Sequence, residues 1–101
     1  MVYLLLKQPT KNINSWTESF ERFSEYRKIG GEISCKIYQT PRNKNELMVV
    51  SAWRSMDEVT EFLESQSFEM IKELEEKEPI IIKVPNKRNV TKYFKELLST
   101  A

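Results

Sequence analysis

Histidine is absent from the chain and cysteine occurs once, at Cys35. The first absence removes the commonest acid–base side chain. With only one thiol present, the usual ligands of zinc and haem iron are missing too, so any chemistry must proceed without imidazole. The lone thiol excludes an intramolecular disulfide; inside an alternating strand it reads as a small core hydrophobe and fits a reducing compartment. Positive charge is not in surplus either: sixteen basic against fifteen acidic side chains leave a formal charge of +1, unlike an electrostatic nucleic-acid binder. The N-terminal MVYLLLKQ is too short an apolar run for a membrane span and lacks the flank and cleavage site of a signal peptide. A cytoplasmic protein without membrane or nucleic-acid partners is expected.

What is present is an ordinary globular balance, 40% apolar and 31% charged side chains over 101 residues, enough for one domain with a thin core. Val2 to Lys7 is a short apolar run ended by Gln8 and Pro9, which suits a strand buried on both faces. Ser15 with Glu18 has capping-box spacing, and Trp16, Phe20, Phe23 and Ile29 follow at helical intervals until Gly30 and Gly31. From Glu32 the period becomes two, with Ile33, Cys35 and Ile37 alternating against Ser34, Lys36 and Tyr38. Turn formers Pro41, Asn43 and Asn45 then lead into the apolar run Leu47 to Trp53, an antiparallel hairpin.

Ser55 and Glu58 repeat the capping-box spacing before Val59, Phe62 and Leu63, and Phe68, Ile71 and Leu74 continue the helical pattern after a break at SQS. Either two short helices or one kinked helix satisfies this. The nine carboxylates between Asp57 and Glu78 fall on the outer side of that pattern and read as a solvated face rather than a metal site. Ile80 to Val84 is β-branched and reads as a last strand. Asn89 to Leu98 carries Val90, Phe94, Leu97 and Leu98 on one side, a weak helix that needs packing to persist.

The order is βαββαβ, which folds as an α+β, ferredoxin-like sandwich: a four-stranded antiparallel sheet with both helical segments on one face. Residues 1–85 form this domain and residues 86–101 a C-terminal helical arm. Tyr3 and Leu5 are apolar as well as Leu4 and Leu6, and Val49 as well as Met48 and Val50. Both sheet faces therefore need burial, and helices for one face alone leave the other to a homodimer contact.

An apolar strand ending in Trp53, a capped S-x-x-E helix and then FLESQSF resembles the antibiotic-biosynthesis-monooxygenase-like, dimeric α+β barrel superfamily over roughly residues 2 to 84. The resemblance implies two ferredoxin-like sheets paired face to face, and a pocket in each subunit between helices and sheet near Lys7, Trp53 and Phe62. The haem-degrading branch of that superfamily uses an Asn, a Trp and a His at positions that fall on Lys7, Phe62 and Lys72; none is kept, so haem binding is not expected. Broader relatives carry His near Phe62 and Ser67, where this chain has none.

The resemblance leaves two functions open. One is a cofactor-independent monooxygenase or isomerase acting on a small apolar or aromatic molecule, with Tyr3, Lys7, Tyr38, Trp53 and Phe62 as ligand-binding candidates and Lys7 or Lys36 attracting an anionic oxygen. The other is a non-catalytic metabolite-binding or homodimerisation module. No catalytic residue, metal or cofactor can be assigned. Lys83, Lys87, Arg88, Lys92 and Lys95 form a basic tail without the RNA-binding signature, and read as a solvated arm.

Overall fold

The computed structural model describes residues 1–75 and 77–99. Four strands form an antiparallel sheet in the order β2-β3-β1-β4: β1 (Val2–Pro9), β2 (Glu32–Gln39), β3 (Glu46–Trp53) and β4 (Ile80–Val84). Between them run α1 (Ile13–Glu21), α2 (Ser24–Ile29), α3 (Met56–Leu63) and α4 (Gln66–Lys72), and α5 (Val90–Ser99) follows β4 after a short 3-10 turn at Lys87–Asn89. This is the ferredoxin-like βαββαβ layout expected from the sequence, with the added C-terminal helix.

Local chemistry sets the element ends. Asn12, not Ser15, caps α1: its side-chain oxygen accepts the Ser15 backbone N–H at 2.9 Å. The S-x-x-E spacing at Ser15 is thus one turn inside the helix, a competition that capping preferences alone do not resolve. The run expected to continue to Ile29 breaks at Arg22 and Phe23 into two helices; Ile29, expected inward, is 79% exposed. The second capping box is real: Ser55 Oγ accepts the Glu58 N–H at 3.2 Å and starts α3. Ser65 does the same for Phe68 and starts α4, so the SQS break separates two helices. Leu74 lies beyond α4 and is exposed rather than core.

Strand pairing fixes which residues share a face. Leu4 stands opposite Ser51, Leu6 opposite Val49, and Cys35 opposite Ser51, all beneath α1–α4. Their core adds Trp16, Phe20, Trp53, Val59, Phe62, Phe68 and Ile71, each large side chain contributing roughly 1.5–3 kcal/mol by burial. On the other face Tyr3, Leu5 and Lys7 stand opposite Ala52, Val50 and Met48.

That second face is not bare. The amphipathic spacing of α5 seats Leu97 against Leu5, Met48 and Val84, with Val90, Tyr93, Phe94 and Leu98 half-buried around it. Helices for only one face was therefore an undercount: the arm supplies a second, thinner apolar layer. Its cover is partial, since Tyr38 and Ile80 on the same face stay 43% and 41% exposed.

Candidate functional site

The five residues singled out from the sequence do not converge. Trp53 and Phe62 lie under the helices, with ring centroids 5.2 Å apart. Tyr3, Lys7 and Tyr38 lie on the opposite face of the sheet. The alternation of an eight-residue strand is responsible: Lys7 is an odd-numbered neighbour of Tyr3 and Leu5, so it cannot share a face with the inward-facing Leu4 and Leu6.

Trp53 ends β3 fully buried, and its Nε1–H donates to Ser51 Oγ at 2.9 Å, while Ser51 Oγ donates to the Leu4 carbonyl at 3.3 Å. The large aromatic at the strand-to-helix junction thus joins β1, β3 and α3 and satisfies its own polar edge. Outside it, a hollow of about 170 Å³ opens between Tyr26, Ile29, Glu58, Glu61 and Phe62. That is below the roughly 300–1,000 Å³ typical of small-molecule pockets.

Two ion pairs frame this side. Arg27 is buried, donates to Glu32 at 2.9 Å and to the Phe20 carbonyl at 2.5 Å, and stacks 3.8 Å above the Phe20 ring. Burial pushes the Glu32 carboxyl above the ordinary carboxylate range, with Arg27 working against the shift. Arg54 meets Glu58 at 2.6 Å, and this bond, aided by Ser55, holds the Glu58 carboxyl below that range. The Cys35 thiol, desolvated and beside Glu32, is pushed up to about 12.

Lys7 is 3% exposed; its ammonium donates to the Leu97 carbonyl at 3.0 Å and faces Glu46 at 3.6 Å. A cation at the last turn of α5 meets carbonyls that have no partner within the helix, and the macrodipole favours it there. Lys7 anchors the arm.

The pocket on this face is a groove of about 420 Å³ between the β2–β3 hairpin and α5, lined by Tyr38, Thr40, Met48, Val50, Phe94 and Leu98 among others. The Tyr38 and Phe94 rings meet edge to face at 5.6 Å, narrowing it. Among the described residues its lining contains no carboxylate, amine or guanidinium. Thr40 Oγ1 beside it is buried and has no hydrogen-bond partner among the described residues. Such a groove suits a neutral, largely apolar molecule with one hydrogen-bonding group. A further hollow near Thr10, Lys11, Glu75 and Lys77 is of similar size, about 390 Å³, but walled by charged side chains. Of the groove residues only Tyr38 was singled out from the sequence. The signal for the rest was the apolar spacing of Val90, Phe94 and Leu98, read there as an arm.

No family model matches the chain, and no curated protein matches it by sequence. Solved structures do match in shape. A crystal structure of an antibiotic biosynthesis monooxygenase superposes with a TM-score of 0.67 at 8% identity, covering 85% of this chain and 98% of that one. The cofactor-independent oxygenase SnoaB from Streptomyces nogalater, crystallised as a mutant, gives 0.62 at 11% identity over 81% and 86%. A dimeric ferredoxin-like protein from an uncultured marine organism gives 0.51 at 14% identity over 82% and 90%. The chain has the antibiotic biosynthesis monooxygenase-like fold. Identity this low carries the fold without the chemistry.

Proposed function

We propose that this protein binds a small, neutral, mostly apolar or aromatic molecule in the groove between the β2–β3 hairpin and α5. The observation that carries the reading is the groove itself: about 420 Å³, apolar floor from Met48 and Val50, aromatic walls from Tyr38 and Phe94, and no charged lining residue among the described ones. Trp53 and Phe62, with their small hollow, act as the core support of the sheet. Tyr3 packs at the edge of the second apolar layer, and Lys7 holds α5.

The test is titration with a neutral fluorescent probe, N-phenyl-1-naphthylamine. Saturable binding of one probe per chain is expected, and Val50→Glu, which places a charge in the apolar floor, should weaken it at least about tenfold. Equal binding by the variant would reject the groove as the site.

A second reading, cofactor-independent oxygenation in the same groove, is favoured by the likeness to SnoaB and to the monooxygenase. Among the described residues the groove offers no carboxylate or amine to serve as base, so the reading takes a substrate that carries its own readily ionised C–H or O–H group. Oxygen uptake above the uncatalysed rate with a naphthohydroquinone probe, abolished by Val50→Glu, is the outcome this reading requires; uptake equal to the buffer blank leaves a binding protein. Pairing of two copies through the second sheet face into an α+β barrel is supported by the likeness to a dimeric ferredoxin-like protein and by the apolar residues of that face. The single free thiol, Cys35, fits a cytoplasmic setting.

A further inference from the structure

We propose that α5 is a self-capping arm: it occupies the sheet face through which a second copy would pair, so the chain exchanges between a closed monomer and a dimer from which α5 has been released. The inference rests on the pairing reading above and adds what controls it.

The two sides of α5 differ in kind. Its inner side brings Leu97, Phe94, Leu98, Tyr93 and Val90 onto the sheet, whereas Thr91, Lys92, Lys95, Glu96 and Ser99 are exposed. A partner sheet laid over the closed chain would meet this polar side. Two sheets pack about 10 Å apart, the thickness of one helix, so face-to-face pairing and a seated α5 exclude each other.

Leu97 is the one fully buried side chain of α5 among the described residues, and the Lys7 bond to the Leu97 carbonyl ties its last turn to β1. A ten-residue helix is marginal without packing. The sheet ladder ends at Val84, and Pro85, Asn86, Lys87 and Arg88 are all exposed, so the arm can swing out without breaking a strand pair.

Release would uncover Tyr3, Leu5, Met48, Val50 and Ile82 together, an apolar patch that needs another cover. A second copy presents the same patch, and a two-fold contact between identical patches closes on itself. Lys7 would not be left bare, because Glu46 remains 3.6 Å from its ammonium.

Sedimentation equilibrium on the full chain and on Leu97→Ala tests this. The substitution loosens α5 without lowering its helix propensity, and should tighten dimerisation at least about tenfold, as expected for truncating a buried leucine that holds only one of two states. Dimerisation by the variant that is equal or weaker overturns the proposal while leaving pairing intact. A monomer in both proteins at every concentration overturns pairing itself, and the proposal with it. Should the variant precipitate, hydrogen exchange on the wild-type chain decides. Amides of α5 should lose protection as the dimer fraction rises with concentration, while those of β1 and β3 keep theirs; unchanged or increased α5 protection in the dimer overturns the proposal.

Discussion

The Lys7 ammonium on β1 donates to the Leu97 carbonyl on α5 at 3.0 Å, a bond between residues 90 positions apart that joins the first strand to the last helix. A lysine this buried is held by what it satisfies: the helix-end carbonyl and the Glu46 carboxylate at 3.6 Å. Lys7→Ala removes these interactions and leaves Glu46, itself largely buried, without this cation. The expected cost is about 1–3 kcal/mol in urea unfolding, with increased exchange of α5 amides relative to β1. Lys7→Met, which keeps the apolar stem but not the charge, should cost nearly as much; recovery of most of the stability by Met would show that packing rather than the charge holds the arm.

Gly31 lies between α2 and β2 at φ 120°, the one positive φ in the described chain. A Cβ there would stand 2.6 Å from the Glu58 carboxyl, and the Gly31 carbonyl accepts the Arg54 N–H at 3.0 Å. Strained backbone and a displaced ion pair act together in Gly31→Ala, which should destabilise the fold by about 1–3 kcal/mol. Gly30→Ala, adjacent and at φ −77°, has ordinary backbone geometry and contacts no closer than 3.4 Å, and serves as the control. Thermal melts of the two variants should separate clearly.

The fold was legible because strand runs, the hairpin turn and the Ser55 cap are local signals that tertiary packing did not override. The candidate groove was not, for two physical reasons. Strand parity separates Lys7 from Trp53 and Phe62, and a family-wide expectation of where a pocket lies does not respect which face each side chain takes. The arm was legible as a helix through Val90, Phe94, Leu97 and Leu98, but its docking depends on a partner 90 residues distant. Nothing in a periodic pattern names the surface it meets. Tyr38 fell on the groove because an aromatic alternating on the hairpin strand must line one face or the other.

Cys35 illustrates an environment that keeps a group silent. Its thiol is pushed up to about 12 by burial and by the neighbouring Glu32 carboxyl, so almost no thiolate forms at neutral or mildly alkaline pH. Iodoacetamide labelling, followed by mass, should be far slower in the native protein than in urea, because the thiolate is the reacting species. Rapid stoichiometric labelling of the folded chain in mildly alkaline buffer would contradict the packed position of Cys35.

The Arg27–Glu32 pair gives a pH dependence with a definite sign. Burial raises the folded-state pKa of Glu32 above its ordinary 4.5, against the pull of Arg27. A raised carboxyl binds its proton more tightly in the folded chain than in the unfolded one. This group therefore favours folding at low pH, and its contribution falls as pH rises from about 4.5 through the raised value. Glu32→Gln keeps a hydrogen-bonding oxygen beside Arg27 but cannot titrate. Its stability relative to wild type, from urea midpoints between about pH 4 and 7, should rise with pH over that window. The absolute difference also contains the loss of Arg27's counter-charge in a buried site, which is independent of Glu32 titration and shifts the whole curve toward destabilisation. The slope, not the offset, is the reading: a relative stability that falls with pH would mean that Arg27 outweighs burial and holds the Glu32 carboxyl below its ordinary range.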